Sequence, residues 1–139
     1  MDFELSDMHR TIRDTARDFA TREVAPNAAR WDREERFPHE IIPKLGELGW
    51  LAAGFDAAYG GSGGMIERCI LIEELAKGSP GFALGVYVHQ ALAAAALAEV
   101  GSRALVDRFL HEMLAGRCVG AWAYAEPDSG ADVTQVRLS

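Results

Sequence analysis

The segment 82–98 constrains the fold of this chain more than any other feature of the sequence. It contains no Asp, Glu, Lys or Arg and is dominated by Ala. It is shorter than the about 20 apolar residues that cross a bilayer, and His89 and Gln90 lie in its middle, so we expect no membrane span. A helix that is apolar on nearly every side is typical of the central helix of a bundle, packed against several neighbours. The chain is therefore predicted to be all-α.

Turn-forming residues divide the first third of the chain into amphipathic helices. Ser6 is a suitable N-cap, and apolar residues recur at helical spacing from there to Pro26, where the first helix is expected to end. A second helix begins near Pro38 and stops at Gly49. Pro43 removes one hydrogen bond from this short helix and predicts a kink.

Turn-forming and capping residues also predict three more helices. Residues 51–64 end in a glycine-rich run and are predicted to form a loop. The third helix follows, and its inward-facing residues are expected to be Ile66, Cys69, Ile70 and Leu75. Residues 78–80 separate it from the Ala-rich fourth helix, and Ser102 caps a fifth that ends at Gly116. The prediction is a bundle of about five to six helices.

The pattern changes after Gly116. Residues 118–124 alternate apolar and small side chains, as in a strand, and residues 126–130 form a turn-forming cluster. One or two strands alone are marginal in water. We therefore expect a helical domain at 1–116, followed at 117–139 by the first strand and the incomplete start of a β-domain.

Composition excludes several classes of function. The net charge is -7, from 21 acidic and 14 basic residues, which would repel a phosphate backbone, so no nucleic-acid partner is expected. Cys69 and Cys118 form neither a zinc motif nor a disulfide framework, and the four His residues show no metal-ligand spacing. The N-terminus lacks the features of a signal peptide. A reducing cytoplasm is the expected location.

Three patterns that resemble catalytic motifs lack the required context. The run 60–64 matches the G-x-S-x-G nucleophile elbow, but no preceding strand of a parallel sheet would present Ser62. His89 lies in an apolar segment and is expected to be a core or pocket-edge residue. Glu73 and Glu74 are adjacent, so on a helix they point about 100° apart and cannot form a facing acid/base pair. We expect these carboxylates to be solvated or paired with cations.

Three blocks of sequence, taken together, resemble the acyl-CoA dehydrogenase family along essentially the whole chain. The first block is V-A-P at 24–26, followed by W-D at 31–32, F-P at 37–38 and L-G-W at 48–50. The second is Y-G-G-S-G at 59–63, preceding E-E-L-A at 73–76. The third is A-E-P-D-S-G-A-D at 125–132, which is similar to the T-E-P-x-x-G-S-D signature of the family.

The resemblance implies an architecture and an activity. Family members have an N-terminal helical domain, a middle β-domain and a C-terminal four-helix domain, and FAD lies between the last two, shared across subunits. A C-terminal glutamate removes the α-proton of an acyl thioester of fatty-acid metabolism, while the β-hydrogen leaves as hydride to the flavin. This chain would supply the first domain and the first strand of the second. It would then contain no catalytic residue and would function in a homo- or hetero-oligomer.

The resemblance also implies cofactor contacts. Residues Trp122, Ala123, Tyr124 and Ala125 would lie along the flavin, chiefly through backbone hydrogen bonds. Two positions depart from the family pattern: Ala125 replaces the usual threonine, which bonds the flavin, and Ala131 replaces the usual serine near the CoA moiety. Each lost hydroxyl should weaken ligand binding by about 0.5 to 1.5 kcal/mol.

Substrate contacts are implied at the start of the fourth helix. Ala83, Leu84 and Tyr87 would wall the acyl pocket, and Ala131 would lie near the CoA part of the thioester. Plain core packing is the competing interpretation for the three helical residues. The resemblance further implies that Tyr87 would shorten the pocket or suit a cyclic or aromatic acyl group. A thioester on a carrier protein instead of CoA is equally compatible with the sequence.

A second class of function fits the same residues. A non-catalytic helical module, or a split subunit, would bind a partner chain through the apolar surface that the other domains normally cover. Retention of flavin distinguishes the enzyme from this module.

Overall fold

The computed structural model describes residues 4–61, 64–127 and 129–137. The described part contains five helices and no β-strand, apart from an isolated antiparallel bridge between Glu126 and Ser129. The all-α prediction is therefore confirmed. The division into domains at 1–116 and 117–139 stays a prediction.

Helix α1 runs through residues 7–33 as three consecutive stretches, Asp7–Phe19, Ala20–Val24 and Ala25–Arg33. Ser6 caps it by accepting the His9 N–H. The prediction that this helix ends at Pro26 is wrong. The stretch before the proline is π-helical, with the Ala25 N–H bonded to the Ala20 carbonyl. A wider π turn relieves the clash between a proline ring and the carbonyl four residues earlier, so the helix continues past it.

Helix α2 combines a 3-10 turn, His39–Ile41, with the α-helical stretch Ile42–Glu47. Pro43 lies in the first turn of the α-helical stretch, where an amide N–H has no intrahelical partner. The helix changes from 3-10 to α-helical geometry at Ile42, next to this proline. Gly49 ends this region with a φ of 71°, as predicted. Two 3-10 turns follow in the predicted loop, Trp50–Ala52 and Ala57–Tyr59.

Helix α3 spans Met65–Gly78. Ile70 and Leu75 are buried as predicted, but Ile66 and Cys69 are exposed, and that part of the prediction is wrong. The buried face of the helix instead includes three charged residues, Glu67, Arg68 and Glu74. Apolar spacing could not reveal this face because the long side chains of charged residues can also pack into an interior when their polar atoms find partners.

Helix α4 spans Pro80–Val100 and α5 spans residues 103–114, each with a π-helical stretch in its middle. Ser102 caps α5 by accepting the Leu105 N–H, and Gly116 follows with a φ of 72°, as predicted. By length and composition alone, α4 is apolar enough to cross a membrane, a test that core helices of soluble proteins also pass. Its buried His89 and Gln90 are hydrogen-bonded to other parts of the bundle.

The core has two parts, joined along α4. The first packs α1, α2 and α3 against the start of α4, and its fully buried residues include Ile42, Leu45, Leu75 and Val86. The second packs the loop after α2 and the whole of α5 against the later turns of α4, around Ala94 and Leu110. Burial of each large side chain contributes roughly 1.5 to 3 kcal/mol. As the sequence predicts, α4 is the central helix.

The predicted first strand, residues 118–124, is not a strand in the described structure. Residues 119–125 have neither helical nor strand geometry. A strand requires a neighbour that exchanges backbone hydrogen bonds with it, and the described residues offer none. The strand prediction is thus corrected to an irregular segment that leaves the bundle after α5.

Candidate functional site

The first turns of α4 place the predicted substrate residues on two different faces. Leu84 and Tyr87 point outward, with 62% and 42% of their surface exposed, whereas Ala83 is 2% exposed and packs in the first core. Residues three apart share one face of a helix. Leu84 and Tyr87 therefore form an exposed apolar stripe, and Ala83 stabilises the bundle beneath it.

Close packing on the opposite side fixes the orientation of this stripe. A Cβ at Gly85 would lie 2.3 Å from Cε2 of Phe37, so only glycine allows the helix to approach this ring. Phe37 in turn stacks near Phe82, with ring centroids 5.9 Å apart. Ser79 caps the helix by accepting the Phe82 N–H at 3.3 Å. The start of α4 is thus packed against Phe37 and capped by Ser79 on the side away from Leu84 and Tyr87.

The residues predicted to face the flavin lie in the irregular segment after α5. Trp122 and Tyr124 are 46% and 45% exposed, and Ala123 and Ala125 are also exposed. Within the described residues, no hydrogen bond involves residues 121–125. Backbone N–H and C=O groups are obligatory hydrogen-bonding groups that are nearly always paired once buried. This segment offers them to water or to a ligand or domain that packs against it.

A compact turn follows this segment. Glu126 and Ser129 exchange backbone hydrogen bonds of 2.8 and 3.1 Å. The Asp132 carboxylate accepts the Thr134 N–H at 3.0 Å and the Thr134 hydroxyl at 2.7 Å, which lowers the pKa of Asp132. Ala131 is exposed in this turn, and Asp128 lies outside the described residues, as does Ser62 of the glycine-rich loop. The hydrogen bonds of Glu126, Ser129 and Asp132 thus stabilise this turn.

His89 ties the segment to the bundle at Gly120. The Gly120 N–H donates to Nδ1 of His89 at 2.9 Å, and Nε2 of His89 lies 3.1 Å from the Met113 carbonyl. The imidazole is completely buried, and this burial lowers its pKa. The prediction that His89 is a core or pocket-edge residue is confirmed for the core. The Gly120 contact is a feature that the sequence did not predict.

The predicted cofactor and substrate residues are not brought into one enclosed pocket. No hydrogen bond or ring contact in the described part joins the stripe of Leu84 and Tyr87 to residues 122–125. A cleft of about 730 Å³ lies elsewhere, between the end of α1, Phe37 and the start of α4. None of the predicted site residues lines it. The predicted substrate and cofactor residues are therefore not joined by any such contact in the described part of the chain.

The two adjacent carboxylates of α3 have structural roles. Glu74 is 1% exposed, and Arg17 binds it through two hydrogen bonds of 3.0 and 3.1 Å. Lys77 adds a contact of 2.7 Å to Glu74 and one of 2.9 Å to the exposed Glu73. The Arg17 hydrogen bonds, with help from Lys77, lower the pKa of Glu74 despite its burial. The prediction of solvated or paired carboxylates is confirmed, since both carboxylates form ion pairs with Lys77.

Metal binding is not indicated by the side chains. In residues 4–61, 64–127 and 129–137, no group of three or more His, Cys, Asp or Glu is placed to hold a metal ion.

The contact between Gly120 and His89 could have been suspected from the glycine itself. Gly120 interrupts an apolar run that was predicted to be a strand, and an isolated glycine in such a run often marks a close approach of backbone to another element. The partner, His89, is distant in sequence, so the pair could not be identified without the fold.

The chain is similar in sequence to proteins of one known family. The family model described as the N-terminal domain of acyl-CoA dehydrogenase matches residues 6–117. A short-chain-specific acyl-CoA dehydrogenase from Clostridium acetobutylicum is 36% identical over 135 residues, which cover 95% of this chain and 35% of that protein.

The fold is also similar to parts of solved structures. The butyryl-CoA dehydrogenase of Megasphaera elsdenii superposes with a TM-score of 0.85 at 30% identity, over 96% of this chain and 36% of that one. The FAD complex of PigA superposes with a TM-score of 0.84 at 30% identity, again over 96% and 36%. The chain thus spans about a third of the length of the relatives that it matches.

Proposed function

This chain belongs to the acyl-CoA dehydrogenase family, and from that premise we propose that it forms the N-terminal part of an FAD-dependent oxidoreductase. The proposed reaction is the α,β-dehydrogenation of an acyl thioester of CoA or of a carrier protein. The base that removes the α-proton is proposed to lie outside residues 1–139, in domains supplied by the same or another polypeptide. The proposed location is the cytoplasm.

The segment after α5 fits a flavin ring. Residues 121–125 have exposed backbone groups without hydrogen-bond partners in the described structure, and the exposed indole of Trp122 adds a flat apolar surface. The chemistry that FAD supplies when bound is acceptance of the β-hydrogen as hydride. The proposed role of Trp122–Ala125 is to hold the ring, mainly through the backbone, and to exclude water from one side of it. Because Ala125 lacks a hydroxyl, its side chain would not add a hydrogen bond.

The stripe on α4 is proposed to contact the acyl group. Leu84 and Tyr87 are largely apolar, exposed and on one face of the helix, which suits a wall against a hydrocarbon chain. The phenol ring of Tyr87 would limit the depth of the pocket and favour short, cyclic or aromatic acyl groups. Ala131, exposed in the turn at 126–132, would lie near the thioester carrier without contributing a hydroxyl.

A single observation carries the proposal: residues 121–125 leave a well-packed family domain exposed to solvent, with no backbone hydrogen bond to any described residue and with an exposed indole. The test is a visible absorption spectrum of the purified protein after FAD is added and free flavin is removed, together with its mass by light scattering. We expect a retained flavin band in an assembly larger than the 15.1 kDa chain. Trp122→Ala should reduce flavin retention, whereas Leu48→Ala, another exposed apolar residue, should not.

The second candidate is a non-catalytic module that binds a partner chain. The exposed Leu84, Tyr87 and Trp122 favour it, because exposed apolar surface commonly marks an interface. The same experiment separates the two functions. A colourless protein that forms a defined oligomer would support the module, and a colourless 15.1 kDa monomer would contradict the flavin-binding proposal.

A further inference from the structure

The two hydrogen bonds of His89 determine which ring nitrogen carries the proton. The Gly120 amide can only donate, so Nδ1 must accept. Nε2 must then carry the proton of the neutral ring and donate it to the Met113 carbonyl. One wholly buried side chain thus joins three elements: α4, which carries it, α5, and the segment that follows α5.

Gly120 fits tightly where it meets the bundle. A Cβ at this position would lie 2.7 Å from Cβ of Ala93 and 2.3 Å from Cε of Met113. The Met113 methyl group is the end of a flexible side chain, but Cβ of Ala93 is fixed by the backbone of α4. Only glycine lets the chain come close enough for its N–H to reach His89.

Gly120 is the last residue that is hydrogen-bonded to the bundle before the residues proposed to face the flavin. Cys118 packs against the second core, and Gly120 bonds to His89. Beyond it, no hydrogen bond of residues 121–125 is found in the described part of the chain. The position of Trp122 relative to α4 is therefore set two residues earlier, at Gly120.

We propose that His89 is a positioning residue, which fixes the point and direction at which residues 121–125 leave the helical bundle. Its consequence for catalysis rests on the proposed function: the anchor would place the flavin-facing segment at a defined distance from the Leu84 and Tyr87 stripe. Burial keeps the imidazole neutral near neutral pH by lowering its pKa, so Nδ1 remains an acceptor.

The neighbouring residue provides a matched control. Gln90 is also completely buried on α4, and its Nε2 donates to the Trp50 carbonyl at 2.7 Å. Its hydrogen bond therefore holds the loop after α2 instead of the segment after α5. Replacement of either residue with Leu removes a buried polar group from the same helix, but only His89→Leu removes the acceptor of the Gly120 N–H.

The first experiment is nuclear magnetic resonance of the isotopically labelled wild-type chain. We expect a scalar coupling across the hydrogen bond between the Gly120 amide nitrogen and His89 Nδ1, with the ring proton on Nε2. This measurement needs no variant, so a misfolded mutant cannot obscure it. A proton on Nδ1, or a Gly120 amide that exchanges as fast as its exposed neighbours, would overturn the proposal.

The second experiment measures hydrogen exchange at Gly120 in the two variants. His89→Leu should lower the protection of the Gly120 amide about tenfold relative to Gln90→Leu. His89→Gln, which retains an acceptor and a donor, should recover part of that loss. Equal protection in His89→Leu and Gln90→Leu would show that general loosening, not the anchor, controls this amide.

None of these readouts involves FAD. Failure of the chain to retain FAD would count against the proposed function alone, because the Gly120 contact can form without it. If the wild-type chain does retain FAD, His89→Leu should retain less than Gln90→Leu at equal protein stability. Equal retention would contradict the positioning role.

Discussion

The helical bundle and the segment at residues 117–137 are stabilised in different ways. The bundle contains hydrogen bonds between residues distant in sequence, such as those from Arg17 to Glu74 and from Gln90 to Trp50. In the described part of the segment, hydrogen bonds join residues at most 11 positions apart, except the bond from Gly120 to His89. The bundle therefore fixes its own geometry, whereas the segment, beyond the packing of Cys118 and the bond of Gly120, relies on local hydrogen bonds and on whatever packs against it.

The largest expected difference between the regions concerns apolar truncation. Leu45 is completely buried in the first core, so Leu45→Ala should reduce the free energy of unfolding by about 2 to 5 kcal/mol. Trp122 is 46% exposed, so Trp122→Ala should change it by less than about 0.5 kcal/mol. Urea denaturation followed by circular dichroism measures both. Similar losses for the two variants would mean that the segment packs as part of the core.

Replacement of glycine by alanine should also destabilise the bundle more than the segment. A Cβ at Gly46 would lie 2.2 Å from the Ala115 carbonyl oxygen, so Gly46→Ala would force α2 and the end of α5 apart. We expect a loss of about 1 to 3 kcal/mol, as for other overpacked sites. At Gly130, in the segment, a Cβ would meet nothing within 4 Å, so Gly130→Ala should be nearly neutral. Thermal melts of the two variants test this; a neutral Gly46→Ala would refute the close approach.

Charge removal should have the smallest effect, and it should depend on pH. Glu74→Gln replaces the carboxylate that Arg17 and Lys77 bind, and should cost roughly 1 kcal/mol at pH 7, because both cations remain half exposed. The folded-state pKa of Glu74 lies below its ordinary value of 4.5. The contribution is therefore complete above pH 4.5 and is lost as the pH falls through the folded-state pKa. Unfolding curves at several pH values measure this difference.

Asp132→Asn is the matching change in the segment. The Asp132 pKa is also lowered, but by hydrogen bonds from Thr134 and Gln135 within its own turn. We expect this variant to alter the amide resonances of the turn and to have little effect on global unfolding, because Asp132 is exposed and its hydrogen bonds lie within the turn. A pH-dependent loss of global stability like that of Glu74→Gln would show that the turn supports the bundle.

Much of the bundle could be predicted from the sequence because its signals are local. Ser6, Ser102 and the glycines after α2 and α5 mark helix ends by their own side-chain or backbone chemistry. Pro26 misled the prediction because the π-helical stretch before it removes the expected clash. Ile66 and Cys69 misled it because the buried positions of α3 include Arg68 and Glu74, whose partners lie far along the chain.

The candidate site could be predicted only in part. Short motifs identified the family, and the separation of Leu84 and Tyr87 from Ala83 follows from helical geometry once the helix is placed. The strand at 118–124 was inferred from alternation, yet a strand also depends on a partner that its own sequence does not encode. The link from His89 to Gly120 depends on how two helices pack, which no local pattern reports.

Hydrogen exchange along the whole chain, followed by mass spectrometry with fragmentation to single residues, tests the central contrast most directly. We expect amides in the middle of α4, such as Val86 and Ala94, to exchange slowly, and Gly120 to be protected. Amides of residues 121–125 should exchange at nearly the rate of an unfolded peptide until a ligand or domain covers them. Strong protection of 121–125 in the isolated chain, or rapid exchange at Gly120, would contradict the account.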